Sequence, residues 1–209
     1  MQNRMAGPFL CATIYLLASC QSTGSKENAN TGSVDTAGTA EHPAWSYQSS
    51  IYEVNLRQYS SEGTFKVFEK SLQRLKDMGV GILWFMPINP IGIEGRKSKS
   101  SDLGSYYAVR DYYAVNPEFG TMEEWKSLVK KSQAMGFKVI MDWVPNHSSP
   151  DNPWIIAHPD FYKKDSAGHP AIPFDWSDTR QLDYGNREMR DSMLSAMKFW
   201  MNESHIYGF

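Results

Sequence analysis

Two short apolar runs constrain this chain more than any other feature. "VGILWFMPI" (residues 80–88) and "FKVIMDWV" (137–144) are too short for ordinary helices and show almost no polar alternation. Strands that read this way are buried on both faces, as in a parallel sheet covered by helices. Ahead of the first run, Phe65, Phe68, Leu72, Leu75 and Met78 fall on one helical face, with Gly79 as the stop. Ahead of the second, Thr121 and Glu124 form a capping-box pattern. They open a helix whose Trp125, Leu128 and Val129 are apolar and whose stop is Gly136.

The same alternation extends both ways. "SIYEVNLRQYS" mixes β-branched, aromatic and polar residues at period two and predicts a strand near Ile51–Leu56. Met189, Met193, Met197 and Trp200 recur at helical spacing, and "IYGF" (206–209) opens a fourth strand. Strand, helix, strand, helix, strand, helix, strand implies a parallel sheet with helical crossovers. An open doubly wound sheet and an eight-fold (β/α) barrel both satisfy that order. "LRQYSSEGTF" after the first strand lacks the G-x-G-x-x-G fingerprint, which counts against a dinucleotide fold. The long loops follow the second and third strands at their C-terminal ends, where barrels keep their sites. Periodicity alone favours the barrel only slightly.

The first twenty residues form a separate unit. "MQNRM" carries one Arg, "AGPFLCATIYLLAS" carries no charge, and Cys20 follows Leu17, Ala18 and Ser19. A positive start, a short apolar stretch and a small-residue exit make residues 1–19 an export signal too short to span a bilayer comfortably. A cysteine at that point resembles the bacterial lipobox, in which Cys20 is lipidated. The alternative is a plain secretory signal with a chance cysteine. Both cysteines, Cys11 and Cys20, lie in this segment, so a processed chain has no disulfide. Residues 20–43 are small and polar and bury too little to offset ordering entropy; they read as a tether ahead of a folded body at 44–209. Gln21, rather than an aspartate, follows Cys20, and resemblance to lipoproteins then implies an outer-membrane or surface position.

The net charge is −2 with no basic block, which argues against a nucleic-acid partner. Aromatic residues make up 13% of the chain; core and turn packing accounts for most of them, and flat amphipathic rings also stack on sugars.

Polar chemistry collects after the third strand. "VIMDWVPNHSS" places Asp142, Asn146 and His147 at the end of a buried run, a carboxylate, amide and imidazole suited to a polar ligand. A buried aspartate capping the following loop is the structural alternative. "GSYYAVRDYYAVNPEFGT" holds Tyr106, Tyr107, Tyr112 and Tyr113 in one loop. Tyrosines there either stack on a ligand ring or simply stiffen the loop.

Taken together, these stretches resemble glycoside hydrolase family thirteen, the α-amylase family. "DWVPNH" resembles its signature at the third barrel strand, "GILWFMPINPI" its second-strand region, and "YAVRDYYAVNPEFGT" the loop that follows. "HPDFYKKDSAGHP" and "DWSDTRQLDYGNREMRDSM" resemble the small insert after strand three and the run into helix three. The resemblance covers roughly residues 45–209. It implies about three and a half βα units of a (β/α)8 TIM barrel. It also implies a substrate of α-glucan or maltooligosaccharide type. Tyr107 matches the tyrosine that stacks on the sugar beside the cleaved bond, His147 the histidine that hydrogen-bonds that sugar, and Asp142 the aspartate that orders the site. Asn146 matches an amide that often binds structural calcium. Gln181 stands where relatives carry an aspartate ligand, and a neutral amide is the weaker partner for a hard cation.

The chemistry implied is retaining hydrolysis by two carboxylates roughly 5–5.5 Å apart. In the family the nucleophile is the aspartate of the pattern G-F-R-x-D on strand four. This chain supplies Gly208 and Phe209 of that pattern. The expectation is therefore a truncated, inactive chain, whose nucleophile and general acid lie beyond Phe209. A non-catalytic carbohydrate-binding lipoprotein is the competing expectation.

Overall fold

The computed structural model describes residues 42–97 and 103–209. The signal at 1–19, Cys20 and nearly all of the tether at 20–43 lie outside the described residues. No helix among the described residues is long and apolar enough to cross a membrane.

Three parallel strands form the sheet: β1 (Ile51–Val54), β2 (Ile82–Phe85) and β3 (Lys138–Met141), hydrogen-bonded in chain order. The "IYGF" segment begins a fourth place in that order. Tyr207 N donates to Val139 O at 2.7 Å, Met141 N donates to Gly208 O at 3.2 Å, and Gly208 pairs in parallel with Ile140. Sequential order is what successive right-handed crossovers give in a barrel, whereas a doubly wound sheet reverses direction.

The register explains the core. Tyr52, Leu83 and Val139 lie side by side, as do Val54, Phe85 and Met141. Leu83, Val139, Val54, Phe85 and Met141 are all buried under the helices. On the other face Glu53, Trp84 and Ile140 align; among the described residues Glu53 is exposed and the other two are half-buried. Burial on both faces thus holds better for β2 than for β3, where Lys138 and Ile140 are half-buried.

A four-residue turn of helix, α1 (Leu56–Tyr59), ends the first strand two residues before the position expected from sequence. The single helix expected over 65–78 is two pieces, α2 (Phe65–Glu69) and α3 (Leu72–Asp77). At the break, Lys70 N and Ser71 N turn to the carbonyls three residues back, Val67 and Phe68, a tightening typical of 3₁₀ geometry. The apolar face continues across it through Phe68, Leu72 and Leu75. Met78 does not join that face. It is the capping residue beyond the last turn and is exposed.

The next helix, α4 (Met122–Ala134), starts on the expected capping box. Thr121 Oγ1 accepts from Glu124 N and Glu124 Oε2 accepts from Thr121 N, both at 3.2 Å. Gly136, at φ +90°, closes the turn after it, a conformation costly for any side chain. Trp125 sits at the centre of the main core, with ring centroids 5.4 Å from Phe65 and 5.0 Å from Phe85.

After β3 the chain makes a small excursion. Two-residue strands β4 (His147–Ser148) and β5 (Arg180–Gln181) pair antiparallel around a short helix, α5 (Trp154–Ala157). The long helix α6 (Arg187–Ser204) then returns to the sheet. A second core forms beneath the excursion from Val109, Tyr112, Val144, Phe161, Tyr162, Leu182, Met189 and Met193. Trp200 and Ser204 carry α6 back to the main body: Trp200 Nε1 donates to Tyr112 O at 2.6 Å, and Trp125 Nε1 to Ser204 Oγ at 2.9 Å.

Candidate functional site

The sheet presents its C-terminal rim as Asn55, Met86 and Asp142, one residue past each strand. Asp142 is fixed there because its N–H continues the ladder to Phe85 O at 2.7 Å. Its carboxylate projects from the rim and Oδ2 accepts the Tyr107 hydroxyl at 3.0 Å. Tyr107 comes from the long loop after β2. Burial, reinforced by donation to the Asp142 carboxylate, pushes that phenol up to about 12, so it stays a donor at every ordinary pH.

His147 closes the arrangement. Nε2 lies 3.1 Å from Tyr107 O, and a carbonyl can only accept, so the proton sits on Nε2. Nδ1 then accepts from the Asn146 amide at 3.0 Å. This is the neutral imidazole in one tautomer, and burial lowers its pKa below the usual histidine value, with the Tyr107 carbonyl and Asp178 pulling the other way. Beneath it, the fully buried Tyr112 hydroxyl lies 2.8 Å from His147 O and 2.9 Å from Val144 O.

Beside this network lies a cavity of about 430 Å³ lined by Lys97, Ser105, Tyr107, His147, Trp176, Asp178 and Thr179. That volume is in the range of roughly 300–1,000 Å³ in which small ligands bind. The Trp176 ring meets the His147 ring edge-on at 5.4 Å, and Phe174 packs on Trp176 at 4.8 Å. Aromatic faces and a few oriented polar groups around one concavity suit a molecule with flat apolar patches and many hydroxyls.

Tyr107, Asp142 and His147, singled out in the sequence, thus meet within one hydrogen-bonded set. Asn146 is exposed and touches the set through His147. The four loop tyrosines divide: Tyr107 faces the cavity, Tyr112 belongs to the core, and Tyr106 and Tyr113 pack against neighbouring elements. Trp176, Asp178 and Thr179 were not singled out. They sit in "DWSDTRQLDY", whose spacing carries no strand or helix pattern to place them.

The resemblance places a calcium ligand at Asn146, with Gln181 as the weak point. Gln181 pairs directly across from His147 and contributes a neutral amide. The Asn146 amide is directed at His147, and the Asn146 carbonyl accepts from Leu182 N. Among the described residues, no three His, Cys, Asp or Glu side chains converge, although calcium also accepts amide and backbone carbonyl oxygens.

The catalytic-domain profile of alpha-amylase matches residues 27–180, most of the chain. The chain belongs to the alpha-amylase family. A salivary alpha-glucosidase from Anopheles gambiae is 28% identical over 206 residues, covering 79% of this chain and 33% of that protein. The crystal structure of an alpha-amylase from Lactobacillus plantarum superposes with a TM-score of 0.71 at 40% identity, covering 75% of this chain and 36% of that one. An alpha-amylase from Geobacillus thermoleovorans, solved in complex with acarbose, gives a TM-score of 0.60 at 25% identity over 76% of this chain and 38% of its own. The fold is thus of TIM-barrel type, and the chain spans about a third of the length of these alpha-amylase relatives.

Proposed function

We propose that the cavity beside Tyr107 and His147 receives a glucosyl unit of an α-glucan or maltooligosaccharide, as part of a retaining alpha-amylase-type glycosidase. The observation that carries this reading is the Tyr107–Asp142–His147 set on the wall of an aromatic-lined cavity at the strand rim. The Tyr107 ring supplies a stacking face, and Asp142 holds its hydroxyl. Both nitrogens of His147 are engaged, so a sugar hydroxyl competes with the Tyr107 carbonyl for the Nε2 proton.

Cleavage needs two carboxylates across the scissile bond. By the family resemblance neither the attacking carboxylate nor the general acid is among these residues, which are assigned glucan positioning. Starch hydrolysis by this chain, compared with a version extended along its downstream reading frame, tests it. Reducing-sugar release by the 209-residue chain would refute the assignment. Glucan capture by both versions with release by neither would favour the carbohydrate-binding lipoprotein, the reading that the aromatic lining also supports.

The envelope position is proposed from the segment ending at Cys20. Labelled fatty acid incorporated by the wild type and lost in Cys20→Ala would support it; equal labelling would sink it. Any divalent cation near Asn146 is proposed to bind weakly, because both side chains offered there are neutral.

A further inference from the structure

The segment that leads into Tyr107 is contacted by a residue from the other side of the loop. Arg57 lies in α1, just after β1. Its Nη1 donates to Gly104 O at 3.0 Å and its Nη2 to Leu103 O at 3.2 Å. The same guanidinium lies 4.4 Å from the centroid of the Tyr106 ring. Tyr106 in turn donates its hydroxyl to Asn55 Oδ1 at 2.9 Å. Glu118, at the far end of the loop, approaches Arg57 at 3.6 Å, but it is largely exposed and contributes little. The Arg57 side chain is 17% exposed, and its Nε is buried without a hydrogen-bond partner among the described residues. A half-buried arginine whose two terminal nitrogens reach successive loop carbonyls is tied to the loop as well as to its own helix.

We propose that Arg57 is a positioning residue for the candidate site, holding the segment Leu103 to Tyr106 so that the Tyr107 ring and carbonyl face Asp142 and His147. The proposal rests on the reading of the cavity as a glucan site. The chemistry requires arginine. Only a planar fork serves two neighbouring carbonyls while stacking on an aromatic ring, and a lysine ammonium cannot do both. The coupling runs through covalent neighbours: Tyr106 is pinned on both its face and its hydroxyl, and Tyr107 is the next residue. His147 Nε2 depends on the Tyr107 carbonyl, so displacement of the loop costs the imidazole its acceptor as well.

The test uses the full chain as wild type, Arg57→Lys, Arg57→Met and Tyr106→Phe. It combines amide hydrogen exchange with maltoheptaose titration followed by tryptophan fluorescence. In Arg57→Lys, amides over residues 103–109 are expected to exchange about tenfold faster, and maltoheptaose affinity to fall about tenfold, while α4 and α6 keep wild-type protection. Tyr106→Phe keeps the ring under the guanidinium and loses only the bond to Asn55, so it should loosen the same segment to a smaller extent. It carries the test if Arg57→Met fails to fold. Unchanged exchange at 103–109 in both conservative variants would overturn the proposal. So would acceleration spread evenly through α4 and α6, the mark of a merely structural arginine. If the wild type binds no maltoheptaose, the glucan reading fails, while the exchange pattern still decides whether Arg57 sets the loop.

Discussion

Tyr107 donates its hydroxyl to Asp142 across 35 positions of sequence, joining the loop after β2 to the end of β3 at 3.0 Å. Tyr107→Phe keeps the stacking face and deletes that bond. A charge-assisted bond at a partly exposed site is worth about 1 kcal/mol net. The variant should therefore lose about that much in urea unfolding, and its maltooligosaccharide affinity should fall less than that of Tyr107→Ala. An equal loss in both variants would mean that the ring contributes nothing to binding.

His147 gives a pH signature whose sign follows from its lowered pKa. Above the unfolded value of about 6.5 both states are neutral and the residue contributes no pH dependence. As pH falls through that value the unfolded chain takes up a proton first. Stability therefore declines until pH reaches the lower folded value. His147→Gln, whose amide can still donate to the Tyr107 carbonyl, should flatten the change in melting temperature between pH 7 and the lower end of that window. A wild-type slope retained in the variant would place the titrating group elsewhere.

The bond from Trp125 Nε1 to Ser204 Oγ ties α4 to α6 inside the core, with the Trp125 ring fully buried. Trp125→Phe leaves a void and an unpaired hydroxyl, and should destabilise by about 2–4 kcal/mol. Ser204→Ala removes the smaller partner and should cost about 1–2 kcal/mol. Losses that add in the double variant would show that the two residues do not act as a pair.

Gln181→Asp restores a carboxylate opposite His147 and beside Asn146. The wild type should melt at the same temperature with calcium or with chelator, whereas the variant should gain a calcium-dependent increase. A calcium-dependent shift in the wild type would show that neutral donors and carbonyls suffice.

Much of this was legible because it is periodic. The helix over Met122–Ala134 announced its start through Thr121 and Glu124 and its core face through Trp125, Leu128 and Val129. The break between Glu69 and Leu72 was not legible, since the apolar spacing runs straight through it and only local carbonyl geometry distinguishes the two pieces. Asp142 and His147 stood out because they interrupt or follow an apolar run. Trp176 and Arg57 did not, because their roles depend on which distant loop folds over them, a long-range property that local pattern does not carry.

Tyr112 has a consequence for how the cavity meets a ligand. Its ring belongs to the second core, while its hydroxyl lies against the carbonyls of Val144 and His147. The segment from Trp143 to Asn146 is neither helix nor strand, yet it leads into the cavity-lining His147, whose carbonyl is pegged from below. A wall held in this way does not need to freeze when the proposed sugar ligand arrives, so the entropy of ordering it was met during folding. Selectivity at such a wall then comes from misfit: a ring whose hydroxyls point the wrong way meets groups that do not move to accommodate it.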